Sequence, residues 1–400
     1  MTTAPMRILA LTTIFPHAKN PRYAPYTRQQ AAALSKVCSL DMFGLVPWFP
    51  GTRLLARWSH WGKDFSDVPG TEIIDGMEVR HPRCFRIPRV GLSLSAATYA
   101  ASLLPLVAPM RRRIDAMFAT FVYPEGVAAI LLGELLGIPV VVQAIGSDVN
   151  VVAKLAGPRR QLGWALPRAA GFVAVSQPLA EAAVELGARP DTVHVIPTGL
   201  DRTLFRPGDR AAARARFGEP ADAKLILFVG RLVVDKGIRE LLEAFEQLAA
   251  EDSRARLVII GDGPARDLFE ARAGLAGRLR LAGELEMPQI AEWLAACDVL
   301  TLPSYREGTP NVILEALGSG RRVVATRVGG IPAIVKDAMQ GELVEPSDAA
   351  DLKRGLGRAL AAPYDAEEVA RSVPILSWPE NARRVLEVLA TAAGQALASR

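Results

Sequence analysis

At 400 residues the chain is too long for one ordinary domain, and its composition, half apolar and 22% charged, is that of a globular protein with sizeable cores. Three widely spaced cysteines (Cys38, Cys84, Cys297) and four scattered histidines (His17, His60, His81, His194) support neither a disulfide framework nor a metal site, and they fit a reducing cytoplasm. The formal charge of +5 is uneven: residues 1–200 hold 20 Lys/Arg against 13 Asp/Glu, whereas residues 201–400 hold 27 against 29, so an anionic surface or substrate is expected at the first half. No basic-aromatic RNA motif, zinc-finger spacing or basic heptad array occurs, and nucleic acid is not the partner expected.

In chain order, the short apolar run Met6–Leu11 reads as a first buried strand and not as a signal peptide. Strand-like runs bounded by turn residues follow at 38–46, 117–122, 139–144, 171–175 and 193–196, the first spanning 7–13. Between them, residues 90–110 carry no charge and are flanked by Arg86, Arg89 and Arg111-Arg112-Arg113. That length would permit a membrane-spanning helix. Pro105, Pro109, several hydroxyl side chains and arginines at both ends favour instead a helix packed in the domain, with one face touching lipid. The aromatic-basic stretch FPGTRLLARWSHW, 49–61, suits an interfacial surface or a sugar-binding cleft, and equally a packed helix with solvated arginines.

A second set of strands is expected at 224–229, 256–260, 278–281, 298–302, 322–326 and 341–344, with amphipathic helices between, such as Ile238–Ala250 with Leu241, Leu242, Phe245 and Leu248 on one stripe. Such alternation implies two doubly wound α/β domains with parallel sheets, residues 1–200 and 201–376, divided in the turn-rich segment 197–210. A late helix within 377–400 is expected to pack back on the first domain.

The chemistry concentrates in the second half. In KLILFVGRLVVDKG, 224–237, Arg231 and Lys236 bracket the loop between a strand and a helix, where two cations can neutralise a diphosphate as charge grows on bond cleavage; two ordinary surface cations would look the same. In RLVIIGDGPARD, Gly261 and Gly263 match two positions of a dinucleotide fingerprint, but Arg266 stands where the third glycine belongs, and a dehydrogenase is poorly supported. In SYREGTPNVILEALGSG, 304–320, Glu307 precedes a helix expected to start near Pro310 and Glu315 lies inside it. The pair can accept from sugar hydroxyls, or simply decorate a helix N-terminus.

Taken together, VGRLVVDKG, IGDGP, LPSYREGTPNVILEALGSG and TRVGGIP occur in an order and spacing that resemble the retaining glycosyltransferases of family 4. The resemblance implies the GT-B fold, two facing Rossmann-like domains with a deep interdomain cleft. It also implies transfer of a sugar from a UDP- or GDP-sugar to a glycan or lipid-linked saccharide. By that resemblance Arg231 and Lys236 bind the donor diphosphate, Glu307 lies by the transferred sugar, and these three carry the catalysis. Glu315 binds the ribose hydroxyls; Gly308, Thr309, Pro310, Asn311 and Val312 line the sugar and phosphate pocket, Gly283-Glu284-Leu285 lies near the base, and Gly261 belongs to the donor side. No metal or other cofactor is implied, and no Asp-x-Asp occurs.

The first half resembles a subgroup associated with teichuronic-acid-like and exopolysaccharide synthesis, through LTTIFPHAKNPRYAPYTRQQ, VPWFPG, IDGMEVRHPR, YPEGVAAILLG and GSDVN. Tyr23, Ala24, Thr120, Tyr123 and Ser147 then fall on the acceptor side, with Glu125 or Asp148 orienting the acceptor hydroxyl or, alternatively, capping helices. Ala24 replaces a glycine common in such relatives, and Thr120 and Ile145 stand where histidines are common. A sugar-nucleotide-binding partner with lost transferase activity and a GT-B epimerase are the alternative readings. The enzyme reading places the chain in the cytoplasm at the inner face of the membrane, in peripheral contact with anionic lipid.

Overall fold

The computed structural model describes residues 5–50, 65, 67–86, 92–150, 152–272, 275 and 277–398. Most of the aromatic-basic stretch, residues 51–61, lies outside the described residues, as do residues 90–91. The chain divides into two compact units, Met1–Gly199 with Leu376–Arg400, and Leu200–Ile375.

Unit 1 is built on an eight-stranded sheet of order β10-β9-β8-β7-β1-β2-β5-β4. Its strands are β1 (Arg7–Thr12), β2 (Ser39–Gly44), β4 (Thr71–Ile74), β5 (Met77–Arg80), β7 (Ala116–Thr120), β8 (Val140–Ala144), β9 (Gly171–Ala174) and β10 (Val193–Val195), while β3 (Val46–Trp48) and β6 (Arg83–Phe85) form a separate pair. All pairings are parallel except β4 with β5. β7, β8 and β9 are buried along their whole length, which is why they read as unbroken apolar runs.

Successive residues of these strands serve opposite faces. Leu9, Met117 and Val142 pack with helices α2 (Ser95–Val107), α3 (Val127–Leu136) and α4 (Ala156–Ala165). Ile8, Phe118, Val141 and Val173 pack instead with Trp378, Ala382, Val385 and Leu389 of the last helix, Trp378–Ala398. The spacing of those four puts them on one helical face. The same helix is pinned by polar contacts: Asn381 Nδ2 donates to the carbonyl of Pro197 at 2.7 Å, and Gln30 of helix α1 (Pro25–Leu34) donates to Asn381 Oδ1 at 3.0 Å. At the unit boundary Gly199 admits the Trp378 ring, since a Cβ there would come within 2.7 Å of it.

Unit 2 carries a six-stranded parallel sheet of order β13-β12-β11-β14-β15-β16: β11 (Lys224–Val229), β12 (Ala255–Ile260), β13 (Leu279–Gly283), β14 (Val299–Leu302), β15 (Arg322–Thr326) and β16 (Gly341–Val344). Counted from β11, this is the strand order 3-2-1-4-5-6 of dinucleotide-binding folds. Helices α5 (Ile238–Glu251) and α6 (Asn311–Gly318) follow β11 and β14. Leu241, Leu242 and Phe245 of α5 are buried in the core, with Leu248 packed at its margin.

Candidate donor site

The strand order reverses between β11 and β14, whose connections leave in opposite directions across the sheet, and ligands of such sheets bind at the carboxyl ends of the strands flanking that point. The loops delivered there are Gly230–Gly237 and Pro303–Pro310, which contain the cations and the first acid singled out above.

Four glycines lock these loops to each other and to the loops beside them. Gly237 has φ 67°, and a Cβ on it would lie 2.0 Å from the carbonyl oxygen of Pro303, so only glycine lets the β11 and β14 loops touch there. Gly329, φ 53°, meets the carbonyl oxygen of Glu307 in the same way at 1.9 Å, and Gly330 N–H donates to the Gly308 carbonyl at 2.8 Å. The motif TRVGGIP therefore carries a backbone shelf under the Glu307-Gly308 turn. Gly261, the first glycine of the incomplete fingerprint, lies against the Gly230 carbonyl. Its lack of a side chain lets the β11 loop cross the β12 loop, where Leu232 N–H donates to the Asp262 carbonyl at 2.9 Å.

On this frame the Lys236 ammonium pairs with Glu307 Oε1, and Ser304 Oγ donates to the same oxygen at 2.7 Å. Tyr305 N–H donates to the Asp235 carbonyl at 2.8 Å, and its hydroxyl donates to Glu240 at 2.6 Å, extending the clamp into α5. Glu307 keeps 11% of its side chain exposed and Lys236 26%, enough for a ligand to reach both. Arg231 is exposed, whereas Glu315 is buried within α6. Thr309 Oγ1 and Asn311 Oδ1 are buried at the start of that helix without a hydrogen-bond partner. Orphaned polar atoms beside the N–H groups of a helix terminus are what a site left ready for a polar, anionic ligand displays. Val312 is half-buried in the same turn. At the sheet's far side Gly283 accepts from Gly261 N–H at 2.8 Å, Leu285 packs on the core and Glu284 is exposed. Ser304 and Gly329 were missed by sequence reasoning; both lie inside the quoted motifs, but their roles depend on a contact across two loops.

The carboxyl edge of the unit 1 sheet is different in character. Glu125, in the turn Val122–Gly126, is wholly buried, and its Oε1 accepts from the backbone N–H of Thr13 at 2.8 Å and from the Thr13 hydroxyl. Oε2 has no partner, and burial pushes the carboxyl up to about 7 against the pull of the Thr13 bonds. Asp148 is also wholly buried; it accepts from the N–H groups of Val122 at 3.0 Å, Gly146 at 2.9 Å and Ile145 at 3.3 Å, while burial raises its pKa. Of the two acids expected to orient an acceptor hydroxyl, neither reaches solvent here: Glu125 Oε1 and both Asp148 oxygens hold backbone N–H groups of their loops, and Glu125 Oε2 is left unpartnered.

Tyr123 is likewise buried, its hydroxyl donating to the Leu92 carbonyl, and Thr120 is buried beside Gln143 on β8. Tyr23 is half-buried, and Ser147 opens the single helical turn Ser147–Asn150. Ala24, at φ 49° and ψ 57°, occupies the left-handed conformation that glycine adopts without cost. Phe121 at φ 92°, between β7 and the Glu125 turn, is a second strained residue that no sequence signal marked. The three cysteines are free and buried.

Residues 223–362 match the family of group 1 glycosyl transferases, and residues 24–199 match the glycosyl transferase 4-like domain. TuaC of Bacillus subtilis (strain 168), a glycosyltransferase provisionally placed in teichuronic acid biosynthesis, is 30% identical over 370 residues, 91% of this chain and 90% of TuaC. The chain belongs to the GT-B glycosyltransferases of family 4. A D-inositol 3-phosphate glycosyltransferase from Catenulispora acidiphila is 33% identical over 234 residues, 55% of this glycosyltransferase and 54% of that protein. Among solved structures, Anabaena HepE in complex with UDP shares the GT-B fold at a TM-score of 0.64 and 20% identity, with 98% of this chain and 99% of that one covered. Sucrose-phosphate synthase from Thermosynechococcus elongatus does so at 0.68 and 22%, covering 99% and 98%.

Proposed function

We propose that this glycosyltransferase moves a hexose from a UDP- or GDP-sugar to a glycan or lipid-linked saccharide with retention of anomeric configuration, in the synthesis of a cell-surface polysaccharide on the cytoplasmic side of the membrane. The observation that carries the reading is the Lys236, Ser304 and Glu307 cluster at the strand-order reversal of unit 2, with Arg231 on the same loop as Lys236. Lys236 is held by Glu307. A diphosphate entering beside Arg231 and the first turn of α6 competes for that ammonium and frees Glu307 to accept from a sugar hydroxyl. The growing charge on the leaving phosphate is then met by Arg231, Lys236 and backbone N–H groups, which makes a metal ion unnecessary. With Glu125 and Asp148 buried, the donor phosphate is the group left to take the acceptor proton. The UDP and UDP-glucose complexes of HepE and the long match to TuaC support the donor class and the polysaccharide role.

A panel of UDP- and GDP-sugars with lipid-linked acceptors, read by product mass and anomeric NMR coupling, tests this. A product of inverted configuration, or interconversion of the free donor without acceptor, would overturn it. Thr120 and Ile145, standing where the family resemblance implies histidines, favour one second reading, a sugar-nucleotide-binding partner without transfer. Nucleotide binding with neither transfer nor donor hydrolysis would establish that reading.

A further inference from the structure

The outward side of α2 breaks the rule that a helix apolar all round is buried. Ala96, Tyr99, Leu103 and Val107 form one stripe in the unit 1 core. On the opposite stripe, where a surface helix carries charge, stand Leu94, Ala97, Ala101, Pro105 and Pro109, all exposed, with Leu94 at 67% and neighbouring Leu106 at 45%. Because the inner stripe belongs to the core, the helix lies on unit 1 and does not cross a bilayer, although by length and hydropathy residues 92–110 could span one.

Two adjoining elements continue this surface. Thr98 Oγ1 donates to the Phe85 carbonyl of β6 at 2.6 Å, and Gln161 of α4 donates to the Ser93 carbonyl at 2.5 Å. Of the twelve large apolar side chains exposed among the described residues, Phe85, Leu94, Leu106, Leu155 and Trp164 fall on or beside these three elements. Within the segments carrying these elements the charge has one sign, the exposed acids Asp115 and, on α3, Glu134 lying beyond them. No Asp or Glu occurs between Glu78 and Asp115, nor between Asp148 and Glu181, whereas Arg83, Arg111, Arg112, Arg113, Lys154, Arg159, Arg160 and Arg168 are exposed there. Arg168 stacks over Trp164 with its guanidinium 4.7 Å from the ring centroid, an amphipathic pair of the kind that sits at headgroup level.

We infer that this face of unit 1, centred on the outer stripe of α2, docks on an anionic lipid bilayer. The apolar stripe would enter the headgroup and acyl boundary, and the arginines would engage lipid phosphates. A soluble acidic protein would meet the cations but leave the stripe wet, so charge and apolarity together select a membrane.

Flotation of the full chain with phosphatidylcholine vesicles, with and without phosphatidylglycerol, at low and high salt, is the test. The protein should float with anionic vesicles at low salt at least roughly tenfold more than with neutral ones and lose most of that at high salt. Arg111→Glu with Arg112→Glu and Arg113→Glu, and separately Leu94→Glu with Leu106→Glu, should each abolish flotation while leaving the thermal transition and UDP binding unchanged. No flotation with anionic vesicles, or equal flotation of either variant, overturns the inference. A dimer in light scattering that the leucine variant dissolves overturns it in favour of self-association. None of these readouts depends on sugar transfer.

Discussion

Ala24 holds the backbone at φ 49° with a Cβ that crowds its own chain, a strain of roughly 1–2 kcal/mol that glycine would relieve at some cost in unfolded-state entropy. Ala24→Gly should therefore stabilise unit 1 by about 0.5–1 kcal/mol in urea unfolding. The family resemblance marked this position, because a glycine preference reports a backbone angle directly. It did not mark the direction of Glu125: a carboxylate beside Gly126 reads the same whether it faces solvent or the sheet. Now that Glu125 is seen buried with its carboxyl raised from the ordinary 4.5 to about 7, a pH dependence follows. Between those values the folded state keeps a proton that the unfolded chain releases, so this contribution is lost as pH rises and is flat above the upper value. Glu125→Gln keeps an acceptor for Thr13 and cannot ionise. Between about pH 5 and 8 the parent Tm should fall several degrees more than that of the variant; parallel curves would show that Glu125 does not titrate in this window. In unit 2 the legible residues were those whose chemistry is carried by type alone. Arg231→Ala or Lys236→Ala should lower kcat by about a hundredfold or more in a donor-saturated assay, and unchanged turnover would remove both from the site.

Each of the twelve apolar runs read as a strand is a strand, within two residues at either end. The four that were missed, β3 to β6, are three or four residues long, and exposed residues alternate with half-buried ones in β4 and with buried ones in β5, so these two carry no unbroken apolar signal. The loops were less legible than the strands, since TRVGGIP shows that glycines are present and not which carbonyl they admit. Gly329→Ala tests the shelf under Glu307. A Cβ at that position must displace a backbone oxygen it would otherwise meet at 1.9 Å, which moves the Glu307-Gly308 turn. KM for the donor should rise roughly tenfold or more, with little change when the neighbouring exposed Arg327 is made Ala. Equal KM values for the two variants would show that the shelf does not position the donor loop.

Across the molecule, the division between units falls after Gly199, inside the turn-rich segment 197–210, and the last helix lies in the core of unit 1. Turn composition and apolar alternation made the first legible. The helix itself was legible in the run SWPENARRVLEVLA, but not which unit it covers, since an amphipathic C-terminal helix can cover either one. Leu389, fully buried against the sheet of unit 1, offers a direct measurement: Leu389→Ala should cost about 2–4 kcal/mol in the unfolding of that unit, with nucleotide binding by unit 2 preserved. Loss of both together would mean that the units unfold as one. The placement of this helix also sets an order of events during synthesis. Residues 200–375 leave the ribosome as a continuous piece with all six strands of their sheet, and that sheet can close at once. Unit 1 begins before unit 2 and closes after it, because Ile8, Phe118, Val141 and Val173 wait uncovered until the helix that follows Leu376 emerges. A nascent chain stalled before Leu376 is therefore expected to present that sheet face to chaperones, however well its second half has folded.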